Sequence, residues 1–167
     1  MPHPKVIQLR FTRSEFQRGL AGVTAEDALQ RLEPMNSISW IIGHLAAQEQ
    51  RFWLTRAQGK TPFPGLDAIA GFGSPPSTPP LEEMWAQWRA ITAEADRYLE
   101  GMTIEKFLAP MNPGSGGEPN AGTNLQRSIY HYWFHLGECL AIRQMLGHKN
   151  LPEFVGDLQG KAPYRPE

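Results

Sequence analysis

Two histidines stand four residues apart in the segment YHYWFHLGE, residues 130–138. If the segment is helical, His131 and His135 share one face, because residues four apart are neighbours on a helix. That spacing lets two imidazoles reach one metal ion, as in the HExxH motif of zinc metalloproteases. The residues between the histidines here are Tyr-Trp-Phe, so the glutamate of that motif is absent. The pair therefore indicates a metal site of another kind.

A third ligand is expected, since two histidines rarely suffice to hold a metal. Of the five histidines, His3 falls in a terminus expected to be frayed and His148 in a turn expected to be exposed. His44 remains, and with His131 and His135 it forms a three-histidine set. Such a set with an open position suits Zn²⁺ and, less selectively, Ni²⁺ or Fe²⁺. The alternative is that the imidazoles are hydrogen-bonded packing residues, because an HxxxH pair also arises by chance.

Two polar residues near these histidines are candidate catalytic residues. Gln48, one turn beyond His44, could orient an imidazole or contact a substrate; alternatively, it is a helix-interior group bonded to a neighbour. Glu138 could be a fourth ligand, a hydrogen-bond acceptor behind a ligand, or a general base. The alternative for Glu138 is an ion pair with Arg51 or Arg127.

Other reactive or aromatic residues near the histidines are predicted to be packing residues. Cys139 is expected to be a buried small hydrophobic residue rather than a nucleophile. The aromatic residues Trp40, Tyr130, Trp133 and Phe134 are expected in the core rather than around a substrate.

Four long helices are predicted to position the histidines, over about 5–20, 37–58, 79–100 and 124–146. Residues 59–80 and 109–122 are rich in proline and glycine and are predicted to be loops. Predicted N-caps are Thr24 for a short turn, Asn36 or Ser37, Thr78 and Thr123, and predicted glycine ends are Gly101 and Gly147. These elements predict an all-α fold, a four-helix bundle with long connecting loops. A chain of 167 residues is expected to form a single domain over 1–167.

Composition excludes several classes of partner. The formal charge of −1 argues against nucleic-acid binding, which needs a basic face. No stretch approaches the roughly 20 apolar residues that span a bilayer, so no membrane association is expected. A single cysteine fits a reducing compartment, and we expect a cytoplasmic protein.

Specific segments of the sequence resemble the DinB-like family of metal-binding four-helix bundles, which are related to bacillithiol- and mycothiol-dependent S-transferases. The segments are NSISWIIGHLAAQEQ, then SIYHYWFHLGECLAIRQMLGH, then LPEFVGD. In that family one histidine of the second helix and two of the fourth hold a metal, and the matching residues here are His44, His131 and His135. The resemblance covers the order and length of all four helices.

The resemblance also implies an activity and partners. Related enzymes use the metal to hold a thiolate that attacks an electrophile, which implies a small-molecule thiol, an electrophilic substrate and a role in detoxification or the stress response. Alternatives are a non-catalytic metal- or ligand-binding stress module and a metal-assisted hydrolase. The family commonly forms homodimers, which implies a homodimer here. Since the fourth helix is apolar on all sides, it could be covered by a dimer partner or by the LPEFVGD tail.

Overall fold

The computed structural model describes residues 2–111 and 119–165, and within these ranges the chain is helical and has no β-strand. The long helices are α1 (Pro4–Gly19), α3 (Ile38–Glu49), α5 (Leu81–Leu99) and α7 (Ala121–Met145). A π-helical segment, Gln50–Arg56, continues α3. The short helices are α2 (Ala25–Leu29), α4 (Leu66–Ala70), α6 (Ile104–Leu108) and α8 (Leu158–Lys161). The all-α prediction is confirmed.

The long helices pack into a bundle in which α3 contacts both α5 and α7, and α7 also contacts α1. Apolar residues from all four helices form one core. Its fully buried members include Leu9, Phe16, Ile41, Leu45, Trp53, Ile91, Leu125 and Tyr132. Among the described residues, no helix is both long and apolar enough to cross a membrane.

Short helices occupy segments where we predicted none. Helix α4 lies inside the predicted loop 59–80 and packs against α3. The prediction missed this helix because proline and glycine flank it on both sides. The helix itself is largely apolar, and its residues Leu66 and Ala70 are buried. Residues 112–118 of the predicted loop 109–122 lie outside the described residues.

Several predicted helix ends are confirmed. The Ser37 hydroxyl accepts the backbone N–H of Trp40 at the start of α3, and Thr24 forms a capping box with Asp27. Gly147, just after α7, has the left-handed backbone expected of a helix end, with φ of 83°.

Other predicted ends are wrong. Helix α5 begins after Pro80 rather than after Thr78, because Pro79 precedes another proline and is therefore disfavoured in helical conformation. Asn120 rather than Thr123 caps α7. Gly101 does not adopt the left-handed backbone.

A buried ionic network joins three helices below the π-helical segment. The Arg13 guanidinium donates two hydrogen bonds of 2.7 Å to the fully buried carboxylate of Glu49, and a third of 2.7 Å to Asp96. Breaking a buried pair leaves an uncompensated charge, which is strongly destabilising. The network therefore fixes α1, α3 and α5 relative to one another at the point where α3 becomes π-helical.

Candidate metal centre

The three histidines singled out in the sequence converge between two packed helices. His44 lies on α3, and His131 and His135 lie on α7. The Nε2 atom of His131 is 3.2 Å from Nε2 of His44 and 2.9 Å from Nε2 of His135. A ligand atom from each residue lies within 4.8 Å of the other two, so the set could hold one metal ion. His44 and His135 are buried, and His131 is partly buried.

Hydrogen bonds behind two of the rings determine which nitrogen carries the proton. The Nδ1–H of His44 donates to the carbonyl oxygen of Ala70 at 2.8 Å, because a carbonyl can only accept. The Nδ1–H of His135 donates to the carboxylate of Glu138. Both rings therefore direct the lone pair of Nε2 towards His131. Metal-bound histidines are commonly oriented in this way by an acceptor on the other ring nitrogen.

The convergent nitrogens cannot all be satisfied without a cation. Nε2 of His131 faces two lone pairs, and a single N–H can donate to only one of them. Nδ1 of His131 is buried and has no hydrogen-bond partner among the described residues. A buried Nε2 lone pair without a partner costs free energy, whereas a metal ion would accept the Nε2 lone pairs of all three rings. Such an ion would leave the proton of His131 on Nδ1, which stays unpaired among the described residues. The residues present thus fit a divalent metal.

Burial favours the neutral imidazoles that metal binding needs. It lowers the pKa of His44. Burial, together with the neighbouring His44 and Arg127, lowers the pKa of His131 to about 4. Burial and the other two imidazoles lower the pKa of His135 to about 3. At neutral pH all three rings are therefore available as ligands.

One side of the histidine set opens into a cleft of about 840 Å³. His44 and His131 both line it, so a group held by the histidines can be reached from the cleft. The cleft is also lined by residues of the π-helical segment, of α7 and of the segment after α4: Ala47, Gln48, Arg51, Phe52, Arg56, Phe72, Pro119, Thr123, Asn124, Gln126, Arg127, Tyr130 and Phe134. An open face is typical of catalytic metal sites, whereas structural sites are closed.

The two candidate catalytic residues occupy different positions. Gln48 lines the cleft beside His44, and its Oε1 atom is buried without a partner among the described residues. It therefore does not orient an imidazole, although it can contact a ligand. Glu138 lies behind His135 as a hydrogen-bond acceptor, and burial raises the pKa of its carboxyl group. Neither predicted arginine pairs with Glu138 in the described structure, since Arg51 pairs with Asp67 at 2.8 Å.

The remaining histidines lie elsewhere, as predicted, but in other environments than expected. His3 is not frayed: its Nδ1 accepts the backbone N–H of Lys5 at the start of α1. His148 is not fully exposed, because it contacts Asp27 at 3.3 Å and accepts a hydrogen bond from Arg143. Cys139 is fully buried, and burial raises the pKa of its thiol, so the prediction of a packing residue is confirmed.

Two aromatic residues contradict their predicted place in the core. Tyr130 and Phe134 are 68% and 63% exposed and line the cleft. They lie on α7 next to the histidines. The sequence does not show that this face of the helix is exposed. Trp40 is buried as predicted, and its ring stacks on His44 with centroids 4.6 Å apart.

The Ala70 carbonyl and the arginines that line the cleft were missed as site residues. A backbone carbonyl leaves no signal in the sequence. The one signal for the arginines was spacing, since Arg127 precedes His131 by four residues on α7 and Arg51 follows Gln48 by three.

Comparison with known proteins assigns the chain to a family. The search of curated proteins found no match. The family model described as the DinB superfamily matches residues 8–139, which include the three histidines, Gln48 and Glu138. The chain therefore belongs to the DinB superfamily.

Proposed function

We propose that the protein is a metal-dependent thiol S-transferase in which His44, His131 and His135 hold one divalent metal ion, most favourably Zn²⁺. The observation that carries the proposal is the convergence of three Nε2 atoms on one side of an open cleft. Two of these atoms are lone-pair donors by virtue of the hydrogen bonds behind them. Three protein ligands and an open position are typical of catalytic zinc sites, and a three-histidine set is one of the known combinations.

The bound metal would lower the pKa of a thiol and keep the sulfur as a nucleophilic thiolate. The chain's own residues prepare the site for it. The Ala70 carbonyl and the Glu138 carboxylate hold two of the imidazoles in the correct tautomer and orientation. Gln48 lines the cleft, so its side chain can contact a polar group of a ligand there. Joining a thiol to an electrophile is detoxification chemistry, and this is the role we propose.

Glu138 is assigned to positioning rather than to proton transfer. Its carboxylate contacts Nδ1 of His135, and it is not among the residues that line the cleft. A general base must lie within hydrogen-bond reach of the proton it removes. The thiol proton would therefore leave to water in the cleft.

Metal analysis combined with thiol binding tests the proposal. Untagged protein reconstituted with zinc should contain about one metal ion per chain, and His131→Ala should contain none. The control His148→Ala should retain the metal, because His148 lies outside the set. In protein reconstituted with Co²⁺, a thiol should produce a sulfur-to-cobalt charge-transfer band. Absence of metal after reconstitution would overturn the metal site, and metal without thiol binding would overturn the transferase.

A further inference from the structure

The cleft beside the histidines carries positive charge. Three arginines line it, Arg51, Arg56 and Arg127, and no aspartate or glutamate is among its lining residues in the described chain. The neutral imidazoles of His44 and His131, which also line the cleft, do not offset the charge of the arginines. A concave surface of one sign with apolar walls raises the local concentration of ligands of the opposite sign.

Arg127 is well placed to bind such a ligand. It precedes His131 by four residues on α7 and therefore lies on the same face of the helix. Its side chain is exposed and forms no ion pair or hydrogen bond with the described residues. A guanidinium presents a fork of N–H donors that matches a carboxylate or phosphate. Nothing in the described structure competes for this fork.

Arg51 stands on the α3 side of the same cleft. Its partner Asp67 is 2.8 Å away, and the two side chains are 38% and 51% exposed. An exposed pair of this kind contributes little free energy, so a ligand can displace it. Arg51 thus offers a guanidinium group from the π-helical segment that continues α3, and Arg127 offers one from α7.

Four of the other side chains that line the cleft are aromatic. Phe72 is 90% exposed, and Tyr130 and Phe134 are more than half exposed. Phe52 contributes a further ring, which Arg56 covers at 5.6 Å. Exposed aromatic surface in a concave site is typical of ligand binding. The cleft therefore offers apolar surface and positive charge together.

We propose that the cleft binds a small organic anion with an apolar or aromatic body, whose carboxylate or phosphate is held by Arg127 and Arg51. The proposal rests on the proposed function in that the reacting group of this molecule lies at the histidines. The anion could belong to the thiol itself or to the electrophile that reacts with it. The chemistry that recognises it is the same in both cases.

The test compares matched pairs of ligands that differ only in charge. The first pair is 4-(mercaptomethyl)benzoate and 4-(mercaptomethyl)benzamide, titrated into Co²⁺-loaded protein. The rigid ring prevents the carboxylate from reaching the ion that binds the sulfur. We expect the carboxylate to bind roughly tenfold more tightly than the amide, since a charge-assisted hydrogen bond has about this effect. Equal affinity for these two ligands, together with no preference for the carboxylate in the second pair described below, would overturn the proposal.

The second pair, 4-methylbenzoate and 4-methylbenzamide, is titrated into metal-free protein by calorimetry. A preference for the benzoate here means that the arginines bind an anion without help from a thiol, as an anionic electrophile requires. A preference confined to the first pair assigns the anion to the thiol. Both results support the proposal, and no preference in either pair overturns it.

Two variants and a matched control identify the arginines that bind the anion. Arg127→Gln should reduce the preference for the carboxylate to near unity, whereas Asp67→Asn should increase it by releasing Arg51. The matched control Arg89→Gln removes an exposed arginine of α5 outside the cleft and should leave the preference unchanged. An unaltered preference in Arg127→Gln would overturn the assignment.

The same samples separate this inference from the proposed function. Metal content and the cobalt charge-transfer band report on the histidines, and the benzoate preference reports on the arginines. A protein that binds metal and thiol but does not distinguish the ligand pairs retains the proposed function and overturns the anion site. A protein that lacks metal but prefers 4-methylbenzoate retains the anion site and overturns the proposed function.

Discussion

The hydrogen bond between Glu138 and His135 determines which nitrogen of that ring faces the other histidines. Replacing Glu138 by Gln keeps the size of the side chain and removes its charge. We expect zinc affinity to fall roughly 10- to 100-fold, as for other acceptors behind metal-bound histidines, with the fold retained. Competition with a chromophoric zinc chelator measures the change.

The control for Glu138→Gln is Glu82→Gln, an exposed carboxylate in the first turn of α5. It should leave the zinc affinity unchanged. Equal zinc affinity in Glu138→Gln and the unaltered protein would show that this carboxylate has no part in holding the ring.

At the residue scale, the sequence reveals ligands better than it reveals their supports. Spacing and elimination were enough to select His44, His131 and His135, because helical periodicity fixes which side chains share a face. The Ala70 carbonyl was not predictable, since any residue type supplies the same carbonyl. The exposure of Tyr130 and Phe134 was not predictable either, because it depends on how the other described helices pack around α7.

At the element scale, the close approach of α3 to its neighbours depends on Gly43, the residue before His44. A Cβ atom there would lie 2.5 Å from the sulfur of the buried Met84 and 3.0 Å from Cβ of Ala70. We expect Gly43→Ala to destabilise the fold by about 1 to 3 kcal/mol, the usual cost of overpacking. It should also weaken zinc binding, because Ala70 holds His44. Urea unfolding and zinc titration measure the two effects.

Gly137, in the middle of α7, is the matched control for Gly43. A Cβ atom there would meet nothing within 4 Å. Since alanine favours helix more than glycine does, Gly137→Ala should stabilise the protein by about 0.5 to 1 kcal/mol. Destabilisation by Gly137→Ala, or none by Gly43→Ala, would contradict the packing described for α3.

Helix existence was predictable at this scale, but helix packing was not. The four long helices follow from apolar periodicity between segments rich in proline and glycine. The π-helical turn at Gln50–Arg56 was missed, because it depends on contacts from other parts of the chain. One such contact joins Gln50 to Phe63. The side-chain oxygen of Gln50 accepts a hydrogen bond from the backbone N–H of Phe63 at 2.9 Å, and its NH₂ group donates one to the carbonyl oxygen of Phe63 at 3.0 Å.

At the scale of the whole molecule, a metal ion would join α3 to α7 across the bundle. Because the folded chain binds the metal and the unfolded chain lacks the assembled site, the metal stabilises the fold by mass action. At a free zinc concentration of about 100 times Kd, we expect removal by a chelator to lower the Tm by roughly 5 to 10 °C. Differential scanning calorimetry measures the shift, and His131→Ala should show none. An equal shift in His131→Ala would mean that the metal stabilises the fold from another site.

The C-terminal segment packs against the N-terminal helix, α1. Arg18 of α1 donates to the carbonyl oxygen of Glu153 at 2.7 Å, and Gly156 donates its N–H to the buried carboxylate of Glu15 at 2.7 Å. The sequence left open whether this tail or a dimer partner covers the fourth helix, α7. The described contacts place part of the tail on α1, which its residue types did not indicate.

Glu15 makes the contact between the C-terminal segment and α1 dependent on pH. Burial by itself raises the pKa of its carboxyl group, but the hydrogen bonds from Arg18 and Gly156 outweigh it, so the pKa lies below its ordinary value of 4.5. A carboxyl group whose folded pKa is lowered stabilises the fold above its unfolded pKa, and this contribution is lost as the pH falls through the folded pKa. We therefore expect Glu15→Gln to destabilise the fold by about 1 to 2 kcal/mol at pH 7. The difference from the unaltered protein should close as the pH falls below 4.5. Urea unfolding between pH 3 and pH 7 measures it, with the exposed Glu26→Gln as the control, and a difference independent of pH would contradict a role for the charge.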